Sequence, residues 1–266
     1  MELEQYKNFA EKFVKEAGVI IREGFYKNLE HVIKEDHTTV TEYDTKVNDM
    51  FIEQVKSNFP DHFVIGEESS HQGEASADYI WYIDPIDGTK AFSMSVPLIT
   101  CIISLAYKGE PVLGVIYDPI LERIVVAEKG KGVLFNGAPA TSSSCQELSH
   151  SYMVFSVNVK YSFVDMFELW KIFTKKHVHF GYVHIGMSGL LLASGNVDSI
   201  VLPFFSNYEF LALKIILDEG GFVITNLLGD PITDIKNPKQ GLVVAKSKLH
   251  AEIMEAIKPH TEGLVL

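Results

Sequence analysis

Asp84 and Asp87 stand in the run Asp84-Pro85-Ile86-Asp87-Gly88-Thr89, where the residue types and their spacing could do chemistry. The residues before them, Trp81-Tyr82-Ile83, read as a buried strand. Proline has no N–H to give a ladder, so the strand is expected to stop at Pro85 and leave both carboxylates projecting from its end. Gly88 admits a close approach to the backbone, and Thr89 is placed to cap a following helix. Carboxylates suit a hard divalent cation, and free amides at a helix start suit a phosphate. Asp-Pro and Asp-Gly also build plain turns, so a second acidic element just upstream carries weight. Phe63-Val64-Ile65 reads as another short buried strand, and it ends in Gly66-Glu67-Glu68-Ser69. Two apolar strands ending in glycine and carboxylates gather acidic groups at one edge of a sheet.

The elements that must position these groups can be read from periodicity. Leu3 to Tyr26 has a helical period with Phe9, Phe13, Ala17, Ile20 and Ile21 on one face. A second helix is expected from near Thr41, carrying Val47, Phe51 and Val55, and Pro60 ends that segment. Ile99 to Tyr107, Val112 to Tyr117 and Arg123 to Glu128 read as an antiparallel meander broken by Lys108-Gly109-Glu110-Pro111 and Asp118-Pro119. The Ser- and Thr-rich stretch from Ala138 to Ser151 is the expected boundary between a lobe of residues 1–140, carrying the acidic motifs, and a lobe of residues 141–266. Helix and strand then alternate: Phe163 to Lys175 helical, Val178 to Ile185 extended, Met187 to Ser194 helical and Val197 to Leu202 a strand. Tyr208 to Glu219 is expected as a helix stopped by Gly220-Gly221, followed by strands Val223 to Thr225 and Leu242 to Ala245 and a terminal helix from Ser247 to Ile257. The whole is an α/β chain without internal repeats.

Composition excludes several functions. At 266 residues the chain can bury a sizeable core, and 47% hydrophobic with 22% charged residues is ordinary for a water-exposed fold. The net charge of -12, with no basic stripe, argues against a nucleic-acid polymer as partner. No apolar run approaches a membrane span, and the acidic start Met1-Glu2-Leu3-Glu4-Gln5 is unlike a signal peptide. Cys101 and Cys145 make neither a disulfide framework nor a metal-ligand spacing, so a reduced, cytoplasmic setting is expected, with Cys101 an inert buried thiol. Only Arg22 and Arg123 carry a guanidinium. A bound phosphate would therefore be held chiefly by metal ions and backbone amides.

With Gly66-Glu67-Glu68, Asp84 to Thr89 and Tyr208-Glu209 followed by Gly220-Gly221 in view, the chain resembles the inositol monophosphatase superfamily of Mg²⁺-dependent, typically lithium-sensitive phosphatases. The resemblance covers nearly the whole length and implies a layered αβαβα sandwich, a homodimer and a small phosphorylated alcohol as substrate. It further implies that Glu67 and Asp84 bind a first Mg²⁺ with the Ile86 carbonyl, and that Asp84 bridges to a second held by Asp87 and Glu209. Gly88 and Thr89 amides would hold the phosphate. Asp44, Thr89 and Glu68 would orient and deprotonate the attacking water, and Lys90 and Asp198 would lie near the substrate. The third motif departs from the pattern. One register puts Tyr208 at the metal-binding aspartate; the other, flanked by Asp198 and by Gly229-Asp230-Pro231, puts Glu209 there and keeps a carboxylate.

Read without the resemblance, Asp44 is a solvated helix-start carboxylate, Glu68 a surface partner to lysine and Asp198 a strand-edge carboxylate. His177 and His179 share a strand face by alternation, which suits either a solvated face or a metal pair, with His184 further along the same extended stretch. Phe204-Phe205 reads as core or dimer interface. The resemblance leaves the alcohol open between inositol phosphate and histidinol phosphate. An adenosine 3',5'-bisphosphate nucleotidase and a catalytically weak regulatory relative are the alternatives. Leu202, seven residues before Glu209, stands where inositol-hydrolysing relatives often carry a glutamate. Lys90 and the run Tyr208-Glu209-Phe210-Leu211-Ala212 lean toward the other branches.

Overall fold

The computed structural model describes residues 3–27, 32–33, 39–70, 77–157, 163–232 and 240–262. Its first half is built on a seven-stranded sheet in sequence order, from β3 (Phe63–Gly66) through β4 (Tyr79–Asp87), β5 (Thr100–Tyr107), β6 (Glu110–Asp118), β7 (Arg123–Glu128) and β8 (Gly132–Phe135) to β9 (Ala138–Pro139). Only β3 and β4 are parallel; the rest is the antiparallel meander read from the sequence. Helices α1 (Glu4–Phe25) and α2 (Glu42–Asn58) cover one face, burying Phe13, Ala17, Ile21, Val47, Phe51 and Val55 against Trp81, Ile83 and Leu105. Two short strands, β1 (Val32–Ile33) and β2 (Thr39–Val40), pair between these helices.

The second sheet has the order β11-β10-β12-β14-β13, made from β10 (Tyr152–Phe155), β11 (His179–Gly181), β12 (Ser199–Leu202), β13 (Val223–Thr225) and β14 (Leu242–Ala245). Between the two sheets lie α5 (Ile185–Ala193) and α6 (Asn207–Glu219), apolar on both sides. Leu190, Ala212 and Ile215 meet Ile102 and Ile116 of the first sheet, while Leu192, Phe210 and Leu213 meet Val154, Ile200 and Val244 of the second. Helices α4 (Met166–Lys175) and α7 (Ser247–Thr261) cover the outer face with Leu169, Phe173, Leu249 and Ile253. A short α3 (Thr89–Ser93) follows β4 directly. The layers therefore run helix, sheet, helix, sheet, helix. Helices hydrophobic all round belong in the middle of such a stack.

The strand carrying the aspartates does not stop at Pro85. β4 continues to Asp87, and its pairing with β5 slips between Asp84 and Asp87, so the residue that cannot donate falls in the irregular gap. On its other side β4 loses its partner, because β3 ends at Gly66 opposite Ile83. Thr89 is likewise the first residue of α3 and not its cap; Gly88, at φ 94°, holds that place. Of the stretch expected to be extended from Val178 to Ile185, only His179–Gly181 is strand. His177 sits in the turn after α4 at φ 62°, so it does not share a strand face with His179.

Candidate active site

The site forms where β4 outruns β3. The Glu67 amide donates to the Ile83 carbonyl at 3.1 Å, which carries the acidic loop past the end of the strand toward Asp84. Asp84 and Asp87 are 2% and 3% exposed. From the opposite side α6 brings Glu209, at its third position. The Glu209 carboxylate accepts from the Ser206 amide at 3.4 Å as part of a capping box. One carboxylate oxygen from each of Asp84, Asp87 and Glu209 lies within 4.8 Å of the others. The register that retains Glu209 is the one in which a carboxylate arrives.

Asp87 is aimed by its neighbours. Its Oδ2 accepts from the Thr100 hydroxyl at 2.9 Å and from the Gly186 amide at 3.0 Å, in the first turn of α5. Gly186 has to be glycine for this approach: a Cβ there would lie against Thr100 Oγ1 and 2.9 Å from Asp87 Oδ2. His184, which precedes α5, packs over Gly88. A Cβ on Gly88 would meet His184 Cδ2 at 2.7 Å and the Leu98 carbonyl at 2.9 Å.

A second part of the site is assembled from α2 and α3. Thr41 caps α2, and Asp44 completes the box by accepting from the Thr41 amide at 2.9 Å. The Thr89 hydroxyl lies 3.1 Å from both Asp44 Oδ1 and the Ile86 carbonyl, joining the helix start to the Asp-Pro motif. Asp44 is a helix-start carboxylate, as read, but it is not solvated; only 1% of it is exposed. Burial pushes its carboxyl up to about 6, and the charge of nearby Glu68 adds to the rise, while Thr41 and Thr89 oppose it. Lys90 is exposed on α3.

Electrostatics make the same cluster unstable as bare anions. Burial, then the charges of Glu67, Asp87 and Glu209, hold the Asp84 carboxyl well above the usual range. Burial raises Asp87 as well, against the pull of His184, Thr100 and the Gly186 and Met187 amides. Glu209 is pushed up to about 8, by burial first and then by Asp87 and Glu67, with Ser206 opposing. Asp84 Oδ1 is buried without a hydrogen-bond partner. An orphaned carboxylate oxygen amid two more carboxylates is a donor set that fits a hard divalent cation.

Asp198 is placed elsewhere. It precedes β12, whose far end at Leu202 faces the site, and its carboxylate accepts from the Ser143 hydroxyl and from the Tyr152 amide at 2.6 Å. It ties β10 to β12 and is not brought to the cluster. His150 stacks on His177 and lies tilted against His179, and among the described residues they form no group with convergent metal-ligand atoms. Cys101 is a buried thiol pushed up to about 12 by burial. His184, Gly186 and Thr100 were not singled out for the site by sequence reasoning. A glycine two residues after a histidine at a helix start was the available signal, hidden because the helix was expected to begin only at Met187.

Oxygens that can share a cation converge beside the start of α3, and the comparisons with known proteins supply the class, a phosphatase, a hydrolase of phosphoric monoesters. The chain belongs to the inositol monophosphatase family, whose profile matches residues 2–262. It is 29% identical over 272 residues to the chloroplastic bifunctional phosphatase IMPL2 of Arabidopsis thaliana, covering 97% of this chain and 77% of that one. It is 27% identical to the fructose-1,6-bisphosphatase/inositol-1-monophosphatase of Aquifex aeolicus, covering 99% of both. In structure it matches the Thermotoga maritima IMPase TM1415 with a TM-score of 0.85 at 22% identity, over 96% of this chain and 97% of that one. The family is metal-dependent and acts on small phosphorylated substrates. Among the described residues no helix is long and apolar enough to cross a membrane.

Proposed function

We propose that this chain is a Mg²⁺-dependent phosphomonoesterase that releases phosphate from a small alcohol phosphate. The observation that carries the reading is the convergence of Asp84, Asp87 and Glu209 beside Gly88 and Thr89 at the start of α3. Glu67, Asp84 and the Ile86 carbonyl would hold one Mg²⁺, and Asp84, Asp87 and Glu209 a second. When bound, such ions supply an acidified water and neutralise charge on the phosphoryl oxygens.

The protein's own groups do the rest. The amides that open α3 bind phosphate oxygens and orient the ester, since a helix start presents donors to an anion. The Thr89 hydroxyl bonds to Asp44 and so presents an oxygen to the attacking water. Asp44, whose carboxyl is pushed up to about 6, is matched to accept a proton through that contact near neutral pH, with Glu68 beside it. The Asp87 carboxylate is fixed by Thr100 and Gly186 and cannot swing away.

The test is phosphate release from inositol monophosphate, histidinol phosphate and adenosine 3',5'-bisphosphate, with Mg²⁺ and with chelator, in wild type and Asp84→Asn. Release abolished both by chelator and by Asp84→Asn supports the reading. Release that survives either one contradicts it.

A further inference from the structure

The cleft that opens from the carboxylates encloses about 100 Å³ beside Asp87 and Glu209. Away from these acids its described lining is Ser156, Tyr182, His184, Leu202, Pro203 and Phe204 with their neighbours. Three of these are rings, and Leu202 and Pro203 present hydrocarbon. The polar side-chain groups on that wall are the Ser156 and Tyr182 hydroxyls and the His184 imidazole. A polyhydroxyl alcohol needs a partner for each oxygen it takes out of water, and this wall offers few.

The rings are arranged to receive something flat. His184 lies against Gly88, so its imidazole stands next to the phosphate cradle, where the alcohol half of an ester must begin. Tyr182 follows the edge strand β11 and meets His184 edge-on, with ring centroids 6.4 Å apart and planes at 64°. Tyr182 is 66% exposed, so its ring is open to a ligand. Phe204 is half-buried across the cleft, and Phe205 behind it is locked by stacking on Phe210 at 4.2 Å. Faces and edges of aromatic side chains beside an anion site favour a ligand that is itself a ring with a phosphate attached.

We propose that the alcohol half of the substrate carries a flat aromatic ring, taken by stacking against Tyr182, His184 and Phe204, and is not a polyol taken by hydrogen bonds. This rests on the phosphatase reading and narrows its substrate class. Leu202 closes the wall with hydrocarbon at the end of β12 and offers a polyol no acceptor.

The experiment compares kcat/KM for two ring-bearing esters, 2'-AMP and histidinol phosphate, with two ringless or polyol esters, glycerol 2-phosphate and inositol 1-phosphate. The expected result is at least one ring-bearing ester preferred over both others by about tenfold or more. Tyr182→Ala should lower that preference about tenfold, and Tyr182→Phe should keep it, because the ring and not the hydroxyl does the selecting. Equal or better turnover of inositol 1-phosphate, or a preference that Tyr182→Ala leaves unmoved, overturns the proposal while leaving the phosphatase reading intact. Should neither the four esters nor adenosine 3',5'-bisphosphate release phosphate, the phosphatase reading fails. Calorimetric binding of the same esters then decides the wall: tighter binding of 2'-AMP than of glycerol 2-phosphate supports it, and equal or absent binding overturns it.

Discussion

Glu209 offers a perturbation whose size can be worked from the structure. Its carboxyl ordinarily titrates near 4.5 and is pushed up to about 8 in the metal-free fold, by burial first and then by Asp87 and Glu67. A carboxyl that prefers its proton when folded stabilises the protein fully below pH 4.5 and loses that contribution as pH rises toward 8. At pH 7 the unfolded chain has ionised over a span of about 2.5 pH units that the folded chain has not. At 1.36 kcal/mol per unit this is about 3 kcal/mol of lost stability. Glu209→Gln removes the titration and keeps an oxygen that can accept from the Ser206 amide. In chelator, the variant should therefore match wild type near pH 4.5 and be more stable by about 3 kcal/mol at pH 7. Urea unfolding at a series of pH values measures the difference. Mg²⁺ should invert the order, because a cation bound only by the folded state stabilises wild type by mass action and the variant less. A Glu209→Gln protein less stable than wild type at pH 7 in chelator would refute the reasoning. It would mean that the folded site already satisfies four neighbouring carboxylates without a cation.

Three further outcomes follow from the same geometry. Gly186→Ala should cost about 1–3 kcal/mol in thermal unfolding and depress phosphate release, since its Cβ would press on Thr100 and Asp87. Thr89→Ala should lower kcat by about 10²–10⁴ with Thr89→Ser largely restoring it, because the hydroxyl links Asp44 to the Ile86 carbonyl. His62 accepts from the Trp81 indole at 3.0 Å, and burial lowers its pKa below the ordinary 6.5. Stability is thus present above pH 6.5 and lost as pH falls below it. Between pH 7.5 and pH 5, urea unfolding of wild type should lose more stability than that of His62→Gln, which cannot take up the proton.

The acidic motifs were legible because their information is local: residue types, their order, and apolar runs on either side. The same holds for the meander, whereas the five layers were expected only from the family resemblance and are explained by α5 and α6, which bury apolar side chains against both sheets. What the sequence concealed depends on partners distant along the chain. Pro85 interrupts nothing because β3 ends at Gly66 and the β5 register slips, facts that belong to two other strands. Asp44 reads as a solvated helix start until Thr89, 45 residues on, is seen to close over it. Asp198 was placed by analogy, whereas the Ser143 hydroxyl and the Tyr152 amide claim both of its oxygens. His184 looked like one of a row of strand histidines, and only the packing of its ring against Gly88 sets it apart from His177 and His179.

The measurement that tests the account most directly is the anomalous diffraction of crystals soaked in Mn²⁺, a scattering substitute for Mg²⁺, for wild type and Asp84→Asn. The account predicts density within bonding distance of the Asp84 and Asp87 carboxylates, with Glu67 and Glu209 completing the set, and its loss or marked weakening in the variant. Mn²⁺ bound only elsewhere, or unchanged at this site in Asp84→Asn, would contradict it.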